Sequence, residues 1–450
     1  MEQINKYLSG AIVPVLLLAF SLFFLIKLKG RPITTPRVML AGILKKNNAN
    51  GTSPIRALIF ALAGTLGVGN IVGVASAIAL GGAGAVFWMW TSAFLAMILK
   101  YSEVVLGVLH RRRRNGENFG GAMYYMRDFF FSCKKYATGT VFSLIFTVLC
   151  LINGFTMGCI IQSNAIAESF FATFEINNIV IGAAVTLLAI FVFFFNGKKV
   201  FAFCEGIVPL ASAIYIIMSL IVIVRSYRYL PSVFAEIFEG AFDFGSAAAG
   251  GMGYLISNAL RYGTIRGLFS NEAGCGTSPT AHATSNTDSP CEQGFLGVFE
   301  VFIDTIVVCT MTALVILVSK EDAFLHLTNP IMMVLASFES VLGGASKILF
   351  SFSVLFFAFA TIICWGYYGK ECIYFVNRNK RYEKEYYLAY VICVFLGSFI
   401  SLEVVWELAD FAVGAMTLMN LFVLGLMHKE IKNETNDYYK KELPKGSSEG

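Results

Sequence analysis

Apolar residues run through this chain in long blocks, not at the spacing of an amphipathic helix or the alternation of a strand, and short polar or basic segments separate them. A helix of roughly 17 to 25 such residues crosses the hydrocarbon of a bilayer. The pattern predicts eleven spans, at residues 9–28, 55–80, 84–108, 140–168, 178–195, 201–225, 247–269, 295–319, 347–370, 386–401 and 404–427. Nothing is left over for a soluble domain. The first block is followed by "KLKGRPITTPR" and not by a small-residue cleavage site, with Lys6 the one basic residue ahead of it, so it is read as a retained helix and not a signal peptide.

Two blocks interrupt themselves. "AGTLGVGN", ending at Asn70, and "GLFSNEAGCGTSPTAHA", from Gly267 to Ala283, crowd glycine and polar residues into otherwise apolar helices. Each glycine costs a helix about 1 kcal/mol relative to alanine but tolerates unusual backbone angles and lets a ligand approach the main chain. Unwinding inside a membrane frees N–H and C=O groups that cannot stay unpaired in hydrocarbon. Freed amides at a half-helix start suit a carboxylate, and freed carbonyls at a half-helix end suit a sodium ion. A zwitterionic amino acid with a co-transported cation meets both demands. In the second break, Ser278 and Pro279 read as an N-cap and first helical residue, so a short half-helix is expected to restart there. For either break alone the competing reading is a close-packing glycine motif between helices.

Apart from the first helix, ten remain and divide into five plus five, each half opening with one interrupted helix. That is the pattern of a transporter built from inverted repeats. The expected organisation is an extra helix and loop over residues 1–53, repeats over 54–226 and 232–427, and a polar, disordered tail over 428–450.

Charge adds orientation. With the first helix ending in the cytoplasm, segments assigned inside hold 26 Lys and Arg, against five outside: Lys6, Arg225, Arg228, Lys320 and Lys347. The amino terminus is therefore expected outside and the tail inside. The "RRRR" at 111–114 then reads as anchoring beside a membrane, with no need for nucleic acid. Composition excludes a soluble protein, since 57% of residues are hydrophobic and only 14% charged. The ten cysteines show no CxxC and none lies in an outside segment, so they are read as reduced and structural, and the four histidines do not cluster as a metal site would.

Several ionisable residues fall within the apolar blocks. Asp304, mid-block, is either a sodium ligand or a structural hydrogen-bonding group. Glu103 is expected to brace the first break or pair with Lys100, and Glu272 to bond amides freed by the second. Arg261 and Arg266 are expected to pair with Glu272 or form an inner gate. Glu205, Glu300, Glu403, Glu407 and Asp410 lie nearer block ends, where snorkelling explains them. His282 is read as a packing or capping residue, with proton coupling as the alternative.

The stretches "GTLGVGNIVGVASAIALGGAGAVFWMW", "RGLFSNEAGCGTSPTAHA" and "GVFEVFIDTIVVCTMTALVIL", with "FAFATIICWGYYGKE", resemble the alanine or glycine:cation symporter family from about Ser53 to Leu426. The resemblance implies an all-α, LeuT-like five-plus-five inverted repeat and uptake of alanine or glycine with sodium. By matching motif it assigns Thr65, Gly67, Gly69 and Asn70 to the substrate, and the carbonyls near Ala63 and Leu66 to sodium. It adds Phe269 as a wall of the side-chain pocket, Asn271, Ala273 and Gly274 as the lining of the second turn, and Gln162 as a contact for the substrate's polar ends. Thr361 is assigned to substrate or sodium, and Trp365 to narrowing the pocket beside Phe269. The family has Thr where this chain has Val68, Pro at Ala83, and Met or Leu at Cys275; a lost hydroxyl at Val68 bears on ion coordination or substrate preference.

The implied protein is a plasma-membrane symporter and not an enzyme, with no cofactor beyond sodium as co-transported substrate and no nucleic-acid partner. A proton-coupled transporter of the same fold is the alternative. A channel is disfavoured because no selectivity-filter repeat is visible. "GVGNIVG" lacks the strand–helix context of a dinucleotide loop.

Overall fold

The computed structural model describes residues 2–44, 51–114, 116–195, 200–242, 258–319, 328–377 and 379–442. It is helical throughout, apart from one small hairpin. Besides two short helices at Arg31–Thr34 and Pro36–Leu44, the helices in chain order are α1 (Gln3–Lys27), α2 (Pro54–Thr65), α3 (Val72–Gly81), α4 (Gly84–Leu109), α5 (Ala122–Ser132), α6 (Tyr136–Phe174), α7 (Asn178–Phe194), α8 (Val200–Arg225), α9 (Leu230–Ala241), α10 (Asn258–Asn271) and α11 (Ser278–His282). They continue with α12 (Pro290–Val318), α13 (Pro330–Leu342), α14 (Ala345–Val376), α15 (Lys380–Gly397), α16 (Glu403–Leu426) and α17 (His428–Glu442).

Seven of these, among the described residues, are long and apolar enough to cross a membrane, and α2 with α3 makes an eighth span bent by 62°. Of the other three expected spans, α7 is short, α15 begins with a charged turn, and residues 247–257 of the seventh lie outside the described residues. Proline placement explains several helix starts. Ser53, Ser289 and Asn329 each precede a proline and accept a hydrogen bond from the third residue on, so the cap satisfies an orphan amide where proline has none to offer.

Helix α4 is the hub. It packs along α10, α11 and α12, and also against α1 and α9. Its seam with α12 is built on small residues: a methyl at Gly294 would come within 2.8 Å of the Tyr101 ring, and one at Gly297 within 2.9 Å of Val104.

One expectation about the chain's polar segments changes. The tail is not disordered as far as Glu442: polar composition conceals a stripe at helical spacing, through which Ile431, Thr435 and Tyr439 are buried. Tyr439 donates to the Arg31 carbonyl at 2.9 Å, and the Tyr101 and Thr435 hydroxyls lie 3.1 Å apart. The arginine run lies in the antiparallel pair β1 (Arg112–Arg114) and β2 (Glu117–Phe119). Arg111 donates to the Ser285 carbonyl at 2.9 Å, Arg112 grips Asp128 at 2.6 and 2.7 Å, and Arg114 lies 4.2 Å over the Tyr374 ring. All ten cysteines are free thiols.

His110, just past the end of α4, joins α5 to the tail: its nitrogens lie 3.0 Å from Asp128 and 3.1 Å from Glu430. Burial opposes its charge, but the hydrogen bonds to Asp128 and Glu430 prevail and lift its pKa from 6.5 to about 9. Because the folded value lies above the ordinary one, this contribution to docking is complete below about 6.5 and disappears as pH rises through about 9. Amide protection factors in residues 428–442, corrected for intrinsic exchange, should therefore fall between pH 8 and 10 in the native chain. In His110→Ala they should be low at every pH.

Candidate functional site

In the first break the helical ladder stops at Leu66, whose amide still reaches the Leu62 carbonyl at 2.7 Å. Gly67 turns extended, and its amide reaches the Thr65 carbonyl at 2.8 Å and Asn70 Oδ1 at 3.2 Å. The Val68 amide donates to Gln162 Oε1 at 3.1 Å. The Ala63 carbonyl, which a continuous helix would pair with the Gly67 amide, accepts from Thr361 Oγ1 at 3.0 Å. Side chains from α6 and α14 have thus taken over the bonds the helix gave up. Glycine is required at 67: a methyl there would lie 2.6 Å from Thr361 Oγ1 and 3.0 Å from Gln162 Oε1.

The second break follows Asn271. Its side chain takes the Ala273 amide at 3.0 Å and donates to Thr305 at 3.1 Å. Glu272, Gly274 and Gly276 all have positive φ, at 53°, 88° and 79°. For Glu272 that conformation costs about 1–3 kcal/mol. The Gly276 amide donates to Glu103 Oε1 at 2.9 Å, and Asn420 donates to the Gly274 carbonyl at 3.0 Å and to Glu103. Glu103 therefore braces the second break and not the first. Helix α11 starts one residue earlier than the cap reading required: Thr277 holds the cap position, and Ser278 Oγ is free to donate to Glu300 at 3.0 Å.

Asn70 joins the two breaks. Its Nδ2 lies 2.8 Å from Ser270 Oγ and 2.8 Å from Asp304 Oδ1, while the other Asp304 oxygen accepts from Ser270 at 2.6 Å and Thr305 at 2.9 Å. Asp304 is fully buried with both oxygens hydrogen-bonded. It sits in a wide π-helical turn of α12, Phe302–Cys309, and a similar turn in α6, Thr156–Ile160, ends just before Gln162. Such wide turns redirect side chains out of the regular helical register.

The expected residues thus form two knots. Ala63, Gly67, Gln162 and Thr361 make one; Asn70 with Asp304 makes the other, and Gly69 packs towards the main chain of Phe269 and Ser270, where an added methyl would lie 3.6 and 3.7 Å away. Thr65 and Leu66 close the α2 end. The two aromatics take separate neighbours. Trp365 packs on Gly158 and Tyr368, whereas Phe269 faces Trp406 at 6.4 Å beneath the Arg266 guanidinium. Arg266 thereby stacks on aromatic rings, and Arg261 lies over Tyr262, in place of pairing with Glu272, whose Oε2 accepts from Thr277 at 2.6 Å.

Ser270, Thr305, Asn420 and Trp406 were not anticipated as site residues; Ser270 and Thr305 lie within stretches that carry the family resemblance, whereas no motif marks Asn420 or Trp406. Nor was the ion cluster beneath α11. Lys100 Nζ lies 2.5 Å from Ser278 and 3.3 Å from Glu300, and His282 Nε2 lies 2.9 Å from the other Glu300 oxygen, all fully or almost fully buried. Glu300 does not snorkel; it pairs deep inside.

A family model of sodium:alanine symporters matches residues 1–449. This chain belongs to the sodium:alanine symporter family. It is a multi-pass membrane transporter and not an enzyme. Family relatives include the sodium/alanine symporter AgcS of Methanococcus maripaludis, 33% identical over 97% of this chain and 96% of that one. The probable sodium/glutamine symporter GlnT of Bacillus subtilis is also 33% identical, over 96% and 89%. Among solved structures, the manganese transporter of Eremococcus coleocola shares the fold at a TM-score of 0.52, with 12% identity over 87% of this chain and 80% of that one.

For this family member the first knot gives a paired test. Gly67→Ala should lower amino-acid uptake into proteoliposomes about tenfold or more, because overpacking of about 1–3 kcal/mol falls on Thr361 and Gln162. Gly73→Ala, where an added methyl meets nothing within 4 Å, should retain most uptake.

Proposed function

We propose that this chain is a secondary active symporter that imports a small neutral amino acid, alanine or glycine, with sodium by alternating access. The observation that carries the reading is the meeting of two broken helices through Asn70, Ser270 and Asp304. The freed amides around Gly67 to Asn70, with Gln162, receive the substrate carboxylate. Sodium takes the Ala63 and Leu66 carbonyls and the Thr361 hydroxyl, a set of neutral oxygens suited to a hard monovalent cation. Asp304 holds Asn70 in place and contributes its field to the cation site. Asn271, Ala273 and Gly274 line the opposite side, near the substrate ammonium.

Residues 54–226 and 232–427 serve as the inverted repeats of a LeuT-like fold, with the amino terminus outside and α17 in the cytoplasm. Phe269 and Trp406 close the side-chain end on one side and Trp365 supports the other. Such walls discriminate by about 1–3 kcal/mol per methylene, so glutamine, named for one relative, is the informative competitor.

A proton-coupled variant is the second reading, favoured by the buried Lys100–Glu300–His282 cluster beside the second break.

Coupling requires ion and substrate to favour the same state, so each raises the other's affinity by the same factor. Alanine binding by the purified transporter should tighten at least tenfold as sodium replaces choline at constant ionic strength, and uptake should follow an imposed sodium gradient. An alanine affinity indifferent to sodium would overturn the sodium reading, and uptake driven by a proton gradient alone would establish the second.

A further inference from the structure

The hairpin β1–β2, α5 and the last turn of α14 enclose a recess of about 290 Å³. Arg112, Arg113, Arg114 and Arg127 face it, and Phe119, Tyr124, Tyr374 and Phe375 supply its walls. No carboxylate lines it. Asp128 neutralises Arg112, but among the described residues no carboxylate lies within ion-pair distance of Arg113, Arg114 or Arg127.

Two of these three are held in place by rings. The Arg114 guanidinium lies 4.2 Å over Tyr374, and that of Arg127 lies 4.7 Å over Phe375 and 5.6 Å over Tyr124. Stacking fixes the plane of a guanidinium while sparing its N–H edge, which is the edge that forks onto phosphate oxygens. Arg113, exposed at the rim, adds attraction at longer range. Asp128 answers only Arg112, and Glu117 stands opposite Arg114 in the hairpin register without an ion pair to it, so the cluster keeps a net positive charge that a bound anion would offset.

We propose that this recess binds a phosphate-bearing anion, supplied either by the headgroup of an anionic phospholipid or by a soluble phosphomonoester. The aromatic walls cover the carbon portion next to the phosphate. The recess also connects to the transport machinery: Arg111 and Asn118, from the same hairpin, both donate to the Ser285 carbonyl, at 2.9 and 2.7 Å, just beyond α11. An anion that stiffens the hairpin stiffens the inner end of the second broken helix. The proposal rests on the recess alone and stands or falls apart from the choice of transported solute.

The test uses the full-length chain in nanodiscs of phosphatidylcholine, with the thermal midpoint as readout. A ligand that binds only the folded state raises the midpoint by mass action. One arm adds phosphatidylglycerol to the disc, and the other adds glycerol 3-phosphate to the buffer. The midpoint should rise in at least one arm, and the arm that responds identifies the source. Arg113→Gln with Arg127→Gln should weaken the apparent affinity roughly fivefold for each arginine removed, and Arg113→Lys with Arg127→Lys should recover part of it. The wild-type response should also shrink as salt is raised. No response in either arm, a response indifferent to salt, or equal affinity in wild type and the glutamine double variant would overturn the proposal. Alanine uptake in phosphatidylcholine liposomes, measured alongside, reads the transport function separately.

Discussion

One side-chain amide holds this molecule's two weakest points together. Asn70 closes the first break on itself by accepting from the Gly67 amide, and with its Nδ2 it reaches Ser270 and Asp304 next to the second. Backbone freed inside a membrane has no water to fall back on, so each gap must be answered by protein. The fold answers both at once. Gln162 and Thr361 arrive from α6 and α14 on one side, Asp304 and Thr305 from α12 on the other, and the amide is the member shared between the breaks. A hydrogen bond of this kind contributes only about 0.5–1.5 kcal/mol net, but an orphaned buried partner costs more. That asymmetry makes the joint sensitive to whatever competes for it.

Buried charge is distributed around the second break in the same spirit. Lys100 stands between Ser278 and Glu300, His282 occupies the other Glu300 oxygen, and Glu103 anchors the Gly276 amide. Gln293 Nε2 lies 2.7 Å from His282 Nδ1 and 3.3 Å from the Pro54 carbonyl, so the imidazole is held on both sides. Removing one partner of such a buried pair typically costs about 3–5 kcal/mol, because the other is left uncompensated. The half-helix α11 has only five residues and little stability of its own, so these contacts from α4 and α12 decide where it sits.

Eight of the eleven spans and both breaks were legible because each leaves a local trace: length and apolarity for the first, glycine clustered where glycine is costly for the second. Thr361, Gln162 and Asn70 could be placed at the breaks only through the family resemblance, and nothing in the local pattern ties Thr361 to the Ala63 carbonyl across 298 positions. What stayed hidden is long-range and unmarked. Asn420 is an ordinary polar residue in an apolar helix until folding brings it to Glu103, and Ser270, though inside the second interrupted stretch, shows no tie to Asp304 in the sequence. Glu300 looked like a block-end acid because its lysine lies on α4, 200 positions away. The tail misled for a different reason: average polarity says nothing about phase, and three buried residues at i, i+4 and i+8 suffice to dock α17. The terminal cap was misjudged by one residue because Ser278 has a better partner in Glu300 than in the backbone.

The glycine seam between α4 and α12 limits how the molecule can deform. With Tyr101 and Val104 filling the hollows opposite Gly294 and Gly297, neither rod can slide or roll against its mate without steric collision, so the pair behaves as a single girder. Bending is then cheapest at the unwound joints fastened to that girder, where it requires no repacking of the long helices.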